Sequence, residues 1–364
     1  MDADSFLEVA RELLCVHSTA DRPADLAKAL DFVIDYVGPG FTVERFESNG
    51  KPSALLYHGA ERPHFQVIFN GHVDVVPGPD DMFRPRLDGD RLYARGAHDM
   101  KVSALVLALV FRELAPALPY PLGLQIVTDE ENGGRDGTLC QLEQGVTGDF
   151  VIIGEQSGLE IVTDSKGIAL VNLHATGRAA HGAYPWLGDN ALVKLHKTID
   201  RILAAHPVAT REEWRTLVGL ARIETPNQAR NQIPDSAQAW LDVRFPPEDE
   251  NLNGRSEQEV AGYFARFCEP GVTVEVERAD PPHHASQDGA EVLRLRDAIR
   301  RQGFAGGFLL KHGSADGRFF YRRGIDAVIF GIGGGGLHSD DEYADITTIA
   351  PYYRALRDFL GSGK

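Results

Sequence analysis

The chain is poor in cysteine and in basic residues. Only 3 of its 364 residues are cysteine, and Cys15, Cys140 and Cys268 are too scattered for a disulfide framework or a thiolate metal site. Aspartates and glutamates number 53 against 37 lysines and arginines, which gives a formal net charge of -16. This charge disfavours nucleic-acid binding through a basic face. We therefore expect buried thiols without disulfides, a reducing cytoplasm and no nucleic-acid partner.

The sequence also lacks any apolar run long enough to span a membrane, which takes about 18 residues. The first residues, MDADSFLEVARELL, are acidic and are typical of an amphipathic helix rather than of a signal peptide. Apolar residues make up 43% and charged residues 25%, as in ordinary folded soluble proteins. At roughly 150 residues per domain, the length predicts about two domains. The lack of a long apolar run predicts no membrane association.

Apolar runs alternate with helical patterns in the outer parts of the chain. Strands are expected at 64–70, 122–128, 150–154 and 327–331, and a helix at 100–114. Such strands favour an α/β fold with a mostly parallel sheet covered on both faces.

The middle of the chain has a different pattern. It predicts the order strand-helix-strand twice, which is the ferredoxin-like arrangement. Ser256 and Glu259 are spaced as a helix capping box. We therefore expect residues 1–166 and 282–364 to form one α/β domain, interrupted by a small α+β domain over 167–281. The strands of this insert are expected at 167–176, 214–224, 237–245 and 271–278, and its helices at 190–205 and 256–268.

Acidic and imidazole side chains follow the predicted α/β strands or precede a helix. In open α/β sheets, ligands bind at the carboxyl ends of the strands. Four carboxylates in one cleft would repel one another unless cations were bound. The mixture of imidazole and carboxylate suits two Zn²⁺ ions, with Mn²⁺ or Co²⁺ as substitutes. The residues of this cluster are His72, Asp99, Glu130, Glu131, Glu155 and His338.

One carboxylate of such a cluster would bridge the two metals, and another would stay unligated as a base. Asp74 lies two residues after His72, on the same side of an extended segment. It could accept the second N–H of that imidazole and fix its tautomer. Each motif alone is more often an ordinary turn or loop, so the prediction depends on their joint order.

The ordered motifs GHVDVVPG, ARGAHDMK, TDEENGG, GEQ and LHSDDE resemble the di-zinc exopeptidase and deacylase family. Its members include acetylornithine deacetylase, succinyl-diaminopimelate desuccinylase, aminoacylase and bacterial glutamate carboxypeptidase. The resemblance covers nearly the whole chain. It implies a zinc-exopeptidase-like catalytic domain and a ferredoxin-like lid and dimerisation domain.

The resemblance also implies roles for these residues. His72 and Glu155 match the ligands of the first metal, and Asp74 matches the partner that orients His72. Asp99 matches the bridging aspartate, which a cis peptide often follows in this family. Glu131 and His338 match the ligands of the second metal. Glu130 matches the general base, and the chemistry implied is hydrolysis of an amide by metal-activated water.

The lid segment GRAAHGAYPWLGDNAL matches the segment whose histidine reaches the partner subunit's active site. His181 takes that position, which implies a homodimer through 167–281. Asn231 in NQIP and Arg244 in DVR match lid positions that help hold substrate. Arg318 in GSADGRF matches an arginine that binds a substrate carboxylate, although Arg244 and Arg318 could instead form structural ion pairs.

The expected substrate is a small molecule, either an N-acyl amino acid or a dipeptide. The sequence leaves open a carboxypeptidase or dipeptidase instead of a deacylase, and an aminopeptidase of a related di-zinc family. A catalytically inactive binding protein on the same scaffold is a more remote alternative. The family commonly has GRG before the bridging aspartate, whereas this chain has Ala94-Arg95-Gly96, and we expect that change to alter packing rather than metal binding.

Overall fold

The chain folds around a large sheet whose four central strands are parallel. A computed structural model describes residues 2–362. The central strands run in the spatial order Leu122–Val127, Phe65–His72, Gly148–Ile153 and Asp326–Ile329. Their carboxyl ends therefore meet at one edge, as the predicted α/β fold requires.

The outer strands of this sheet are antiparallel. Thr42–Ser48 and Lys51–Tyr57 form a hairpin, and Lys51–Tyr57 pairs antiparallel with Leu122–Val127. The turn of the hairpin is Asn49-Gly50, and both residues have positive φ, as a two-residue hairpin turn favours. On the other side, Ile161–Ser165 is antiparallel to Asp326–Ile329. The predicted parallel arrangement thus describes the central strands, and the whole sheet is mixed.

Helices cover both faces of the sheet. Neighbouring residues of one strand enter different cores, since Val67 and Phe69 lie in one apolar cluster and Ile68, between them, lies in another. The first eleven residues of the helix Lys101–Leu114 are all buried, which explains its apolar sequence. The other long helices of this part are Ala3–Leu14, Pro23–Val37, Ala290–Arg301 and Ile349–Gly361.

A small antiparallel sheet brings the segments near residue 95 and residue 342 together. Tyr343–Asp345 pairs with Arg91–Tyr93, which in turn pairs with Arg86–Asp88. Gly334–Gly335 lies on the other side of Tyr343–Asp345. The segment before Asp99 and the segment after His338 are therefore neighbours, although they are far apart in the sequence.

The middle of the chain forms the ferredoxin-like domain that the sequence predicts. Its four strands are all antiparallel, in the spatial order Leu217–Glu224, Ser236–Phe245, Gly167–Thr176 and Val272–Asp280. Alternate residues of Ser236–Phe245 are buried under two helices, as expected for a sheet with one covered face. The helices are Ala191–Ala205 and Glu257–Ala265, and the second begins with the predicted Ser256–Glu259 capping box.

The chain divides into two compact units. The first contains the described residues up to Thr163, the segment His284–Leu309 and the described residues from Ala315 onward. The second contains Asp164–His283 and the short segment Leu310–Ser314. The sequence pattern instead predicts that 310–314 belongs to the α/β domain.

All three cysteines are free. Cys15 is exposed, and Cys140 and Cys268 are half-buried, so the expectation of buried thiols was wrong for Cys15 and is met only in part by the other two. Cys15 directly follows the helix Ala3–Leu14, whose buried face uses other residues. Within residues 2–362, none of the helices combines the length and the apolar character that a membrane crossing needs.

Candidate metal centre

The carboxyl ends of the central strands carry four of the six candidate metal ligands. His72 ends the strand Phe65–His72, and Glu130 and Glu131 lie in the turn after Leu122–Val127. Glu155 lies two residues beyond Gly148–Ile153. Parallel pairing of the three strands is therefore sufficient to bring these side chains to one place.

The ligand atoms form two groups of three. His72, Glu130 and Glu155 make one group, and Asp99, Glu131 and His338 make the other. Within each group the ligand atoms lie within 4.8 Å of one another. The structure therefore brings together all six residues of the predicted cluster.

Asp99 lies between the two groups and faces both histidines. Its Oδ1 is 3.0 Å from Nε2 of His72, and its Oδ2 is 3.4 Å from Nε2 of His338. Glu131 Oε2 is 3.2 Å from the same nitrogen of His338. One carboxylate thus presents each oxygen to a different imidazole, so a cation could be held on either side of it. The peptide bond between Asp99 and Met100 is cis, as the resemblance implies.

The electrostatics of the cluster fit the binding of cations. Burial, with the nearby Glu155 carboxylate, raises the pKa of Glu130 well above its usual range. Burial also raises the pKa of Glu131. Hydrogen bonds to Asp99 and Glu131 raise the pKa of His338 to about 10. Without bound cations, the repulsion among these clustered carboxylates can be relieved only by protonation. Divalent metals would neutralise the same charge, and they favour imidazole and carboxylate ligands.

Histidine 72 is held in a fixed orientation by the segment that follows it. Burial alone lowers the pKa of His72, but the hydrogen bonds that its ring donates to Asp74 and Asp99 outweigh this effect and raise that pKa well above its ordinary value. The Nδ1 of His72 is 3.0 Å from the carbonyl oxygen of Asp74 and 3.4 Å from its carboxylate. The nearer acceptor is thus the backbone of the predicted partner.

The Asp74 carboxylate has a second contact that the sequence did not predict. This buried group accepts the backbone N–H of Glu130 at 3.3 Å and that of Glu131 at 3.0 Å. It therefore fixes the turn that carries both glutamates. Asp74 connects His72 to this turn.

The far side of the same turn is held by the segment around residue 316. Asp316 accepts a hydrogen bond from the Thr138 hydroxyl at 2.5 Å, and both side chains are buried. Gly134 has a φ of +65°, and a Cβ there would lie 2.0 Å from Oδ1 of Asp316. Asp316 and Thr138 could not be predicted from the sequence because they become neighbours only in the folded chain.

Arg318 is buried beside this turn. Its Nη2 donates to the carbonyl oxygen of Gly133 at 2.7 Å, and its Nη1 is 3.9 Å from Asp316 Oδ1. Its guanidinium also lies over the ring of Phe319 at 4.2 Å. In this structure, Arg318 supports the turn that carries Glu130.

The remaining candidate residues lie in the second unit. The short strand Ala180–His181 pairs with Gln232–Ile233, and the N–H of Gly182 donates to the carbonyl oxygen of Asn231 at 2.6 Å. His181 and Asn231 are therefore neighbours, and both are exposed. The His181 Nδ1 accepts the backbone N–H of Ala183 at 3.1 Å.

Arg244 belongs to the strand Ser236–Phe245 of the second unit. It forms a two-pronged ion pair with Asp242, with N–O distances of 2.6 and 3.1 Å. Residues two apart on a strand face the same side, so the pair is local to that strand. The ion pair that the sequence left open for Arg244 is thus present.

The family model and the similar proteins of known name point to the same family of metal-dependent hydrolases. A family model described as "Peptidase family M20/M25/M40" matches residues 68–362. Succinyl-diaminopimelate desuccinylase of Sphingopyxis alaskensis is 30% identical, over 96% of this chain and 97% of that protein. Succinyl-diaminopimelate desuccinylase 2 of Ruegeria sp. is 29% identical, over 89% of this chain and 87% of that protein.

Solved structures share the fold at lower sequence identity. The aminopeptidase PepT of Bacillus cereus has a TM-score of 0.79 at 20% identity, covering 99% of this chain and 98% of that one. An M20 family metallo-carboxypeptidase of Sulfolobus solfataricus has a TM-score of 0.74 at 18% identity, covering 99% of both chains. YXEP of Bacillus subtilis, described as a dinuclear metal binding peptidase from the M20 family, has a TM-score of 0.67 at 15% identity, covering 98% and 97%.

The family match spans most of the chain, and the two groups of ligand atoms lie within the matched residues. This chain therefore belongs to peptidase family M20/M25/M40, and it is a metal-dependent amide hydrolase.

Proposed function

We propose that this enzyme is a di-zinc deacylase that hydrolyses the amide bond of an N-acyl amino acid. The observation that carries the proposal is the position of Asp99, whose two carboxylate oxygens face His72 and His338. A single carboxylate with one imidazole on each side is suited to two cations about 3.5–4 Å apart.

The ligand set supports zinc. We assign His72 and Glu155 to the first ion, Glu131 and His338 to the second, and Asp99 to both. Imidazole and carboxylate ligands suit Zn²⁺, and Co²⁺ or Mn²⁺ are expected to substitute for it. When bound, the metal pair polarises the scissile carbonyl and makes water acidic enough to react at neutral pH.

Glu130 is the proposed general base. It would take a proton from the attacking water and later deliver it to the leaving amine. Its pKa is raised by burial and by the neighbouring Glu155, and a base acts best when its pKa lies near the working pH. Asp74 orients it by accepting its backbone N–H.

The second unit supplies the proposed substrate contacts. We propose that His181 acts on the partner subunit's site in a homodimer formed through 167–281, where its imidazole would stabilise the oxyanion. This rests on the resemblance and on the exposure of His181 beside Asn231. Asn231 and Arg244 would hold the substrate carboxylate, and Asp242 already fixes the plane of the Arg244 guanidinium.

Arg318 has a weaker claim to a substrate contact. To bind a substrate carboxylate through Nη2, it would have to share or release the carbonyl oxygen of Gly133. We therefore propose Arg244 and Asn231 as the groups that bind the substrate carboxylate. Arg318 would take this role only if both of them can be replaced without raising KM.

Deacylation is favoured over peptidase activity by the more similar relatives. The relatives at 29–30% identity are named desuccinylases, whereas the peptidases named above share the fold at 20% identity or less. We also propose a cytoplasmic location, because three free cysteines suit a reducing compartment.

A substrate panel tests the proposal. Zinc-loaded protein is incubated with N-succinyl-diaminopimelate, with other N-succinyl, N-acetyl and N-formyl amino acids, and with free dipeptides, and products are identified by mass spectrometry. Cleavage of one acyl amino acid that is lost in Glu130→Gln supports a deacylase. The matched control is Glu44→Gln, which removes a charge from the edge strand Thr42–Ser48. Cleavage of dipeptides alone would make the enzyme a peptidase, and cleavage of nothing in the panel would contradict the proposed substrate class.

A further inference from the structure

Glu342 makes an unusual set of contacts beside the metal centre. This glutamate lies four residues after His338 and is buried. Its Oε1 accepts three backbone N–H groups, from Gly96 at 3.0 Å, from His98 at 3.1 Å and from Asp99 at 3.1 Å. One carboxylate oxygen therefore holds the loop that ends at the bridging aspartate.

The other oxygen of Glu342 binds a buried arginine. Nη1 of Arg95 is 2.5 Å from Glu342 Oε2. Nη2 of Arg95 is 3.5 Å from the carbonyl oxygen of His338 and 3.4 Å from that of Pro77. The ion pair thus joins the loop of Asp99 to the backbone of His338, since Arg95 contacts the His338 carbonyl across 243 residues of sequence.

The backbone of the loop is shaped for this contact. Gly96 has a φ of +82°, a conformation that other residues rarely adopt. A Cβ at Gly96 would also lie 2.8 Å from the Val75 side chain. The close packing leaves the N–H groups of the loop turned toward the Glu342 carboxylate.

The contacts of Glu342 and Arg95 extend to candidate metal ligands, which an ion pair that only stabilised the fold would not need. A buried pair of charges contributes little to stability on its own, since desolvation offsets the attraction. Here the hydrogen bonds end on Asp99 itself, and Arg95 reaches the carbonyl of His338. Both of those residues belong to the second group of ligands, with Glu131.

We propose that Glu342, together with Arg95, is a positioning group that sets Asp99 and His338 at the spacing the second metal ion needs. The inference rests on the two-metal centre of the proposed function. Groups that orient metal ligands typically change metal affinity by about 10- to 100-fold when they are replaced.

The expected effect is selective. Replacing Glu342 by glutamine keeps its size but leaves Arg95 buried without its counter-charge, so the loop of Asp99 and the backbone of His338 should shift. The ion held by Asp99, Glu131 and His338 should then bind at least about tenfold more weakly. The ion held by His72 and Glu155 should lose less affinity, because Asp99 is its only ligand in the disturbed loop.

The experiment measures metal binding rather than turnover. Metal-free wild-type protein, Glu342→Gln and Arg95→Lys are titrated with Zn²⁺ by calorimetry and with Co²⁺ by absorption spectroscopy. The control is Glu44→Gln, which also loses an arginine partner, Arg62, at 2.9 Å, but lies on the edge strand. Circular dichroism of each metal-free protein checks folding. If Glu342→Gln does not fold, the metal affinities of Arg95→Lys test the inference in its place.

Two binding steps in wild type, with one step weakened at least about tenfold more than the other in the variants and both unchanged in Glu44→Gln, support the inference. A changed Co²⁺ spectrum for that step alone would support it further, since lost stability by itself does not alter the geometry of one ion. Affinities equal to those of wild type at both steps would overturn it and leave the proposed function intact. Fewer than two ions bound to wild type would overturn both.

Discussion

The Asp74 carboxylate accepts the backbone N–H of Glu131 at 3.0 Å, so a residue two positions beyond one strand fixes the turn that follows the neighbouring strand. The same carboxylate accepts the N–H of Glu130. The proposed base and a proposed metal ligand therefore depend on one buried side chain. This relationship is a direct consequence of the parallel pairing of Phe65–His72 with Leu122–Val127.

Asp74→Asn should lower both turnover and zinc affinity by about 10- to 100-fold. An amide presents one acceptor and one donor, so it cannot accept the N–H groups of Glu130 and Glu131 through both of its atoms. Kinetics and calorimetry measure the two effects. The control is Asp31→Asn, since Asp31 pairs with Arg45 at the exposed surface. An Asp74→Asn enzyme with unchanged kcat and metal affinity would exclude the positioning role.

Glu130→Gln should keep its bound metal and lose activity by about 10²- to 10⁴-fold, the usual contribution of a general base. Its amide can still fill the space of the carboxylate but cannot take a proton from water. Metal content by mass spectrometry and kcat on the best substrate check the two halves of the prediction. A variant that is as active as wild type removes Glu130 from the mechanism, and one that loses its metal makes Glu130 a ligand.

Gly134→Ala should damage the turn that carries Glu130. The added Cβ would meet Oδ1 of Asp316 at 2.0 Å, and we expect a loss of stability of about 1–3 kcal/mol from the overpacking, with a lower kcat. Gly158→Ala is the matched control, since Gly158 has a similar φ of +64° and open space around it. That variant should show only the left-handed backbone cost of roughly 1–2 kcal/mol. Equal unfolding temperatures and equal kcat in the two variants would contradict the clash.

Asp316 should make the stability of the metal-free protein depend on pH. Burial raises the pKa of Asp316 to about 6 from an ordinary value of 3.8. The folded state therefore holds this proton more tightly than the unfolded state, and the stability it contributes is complete below pH 3.8 and is lost as the pH rises through about 6. Asp316→Asn cannot titrate and keeps an acceptor for Thr138, so its unfolding temperature should fall less than that of wild type between pH 4 and 7. Thermal unfolding of both chelator-treated proteins across this range measures the difference, and parallel curves would rule out Asp316 as the source.

A mixture of two inactive variants tests whether His181 acts on the partner's site. In a mixed dimer of His181→Ala and Glu130→Gln, the subunit with an intact Glu130 receives an intact His181 from its partner. Unfolding and refolding the mixture should restore up to about a quarter of wild-type activity, because random pairing makes half of the dimers mixed and each has one complete site. The separate variants, treated in the same way, are the controls. No recovery in a mixture that light scattering shows to be dimeric would place His181 in its own subunit's site or outside catalysis.

The sequence by itself predicted the parts that follow from local pattern. The apolar runs predicted the four central strands, and the strand ends predicted that His72, Glu130, Glu131 and Glu155 would meet, because parallel strands share one edge. The doubled strand-helix-strand order predicted the ferredoxin-like domain. The capping box at Ser256 was visible because its two residues lie within one helical turn.

The tertiary structure decided what depends on contacts between distant segments. Nothing in the local sequence shows that Glu342 holds the loop of Asp99 or that Asp316 lies against Gly134. The burial of Arg318 against Gly133 is likewise a property of the packed chain. Periodicity and turn chemistry report on neighbours along the chain, whereas the spacing between two metal ligands is set by loops that meet only after the sheet has formed.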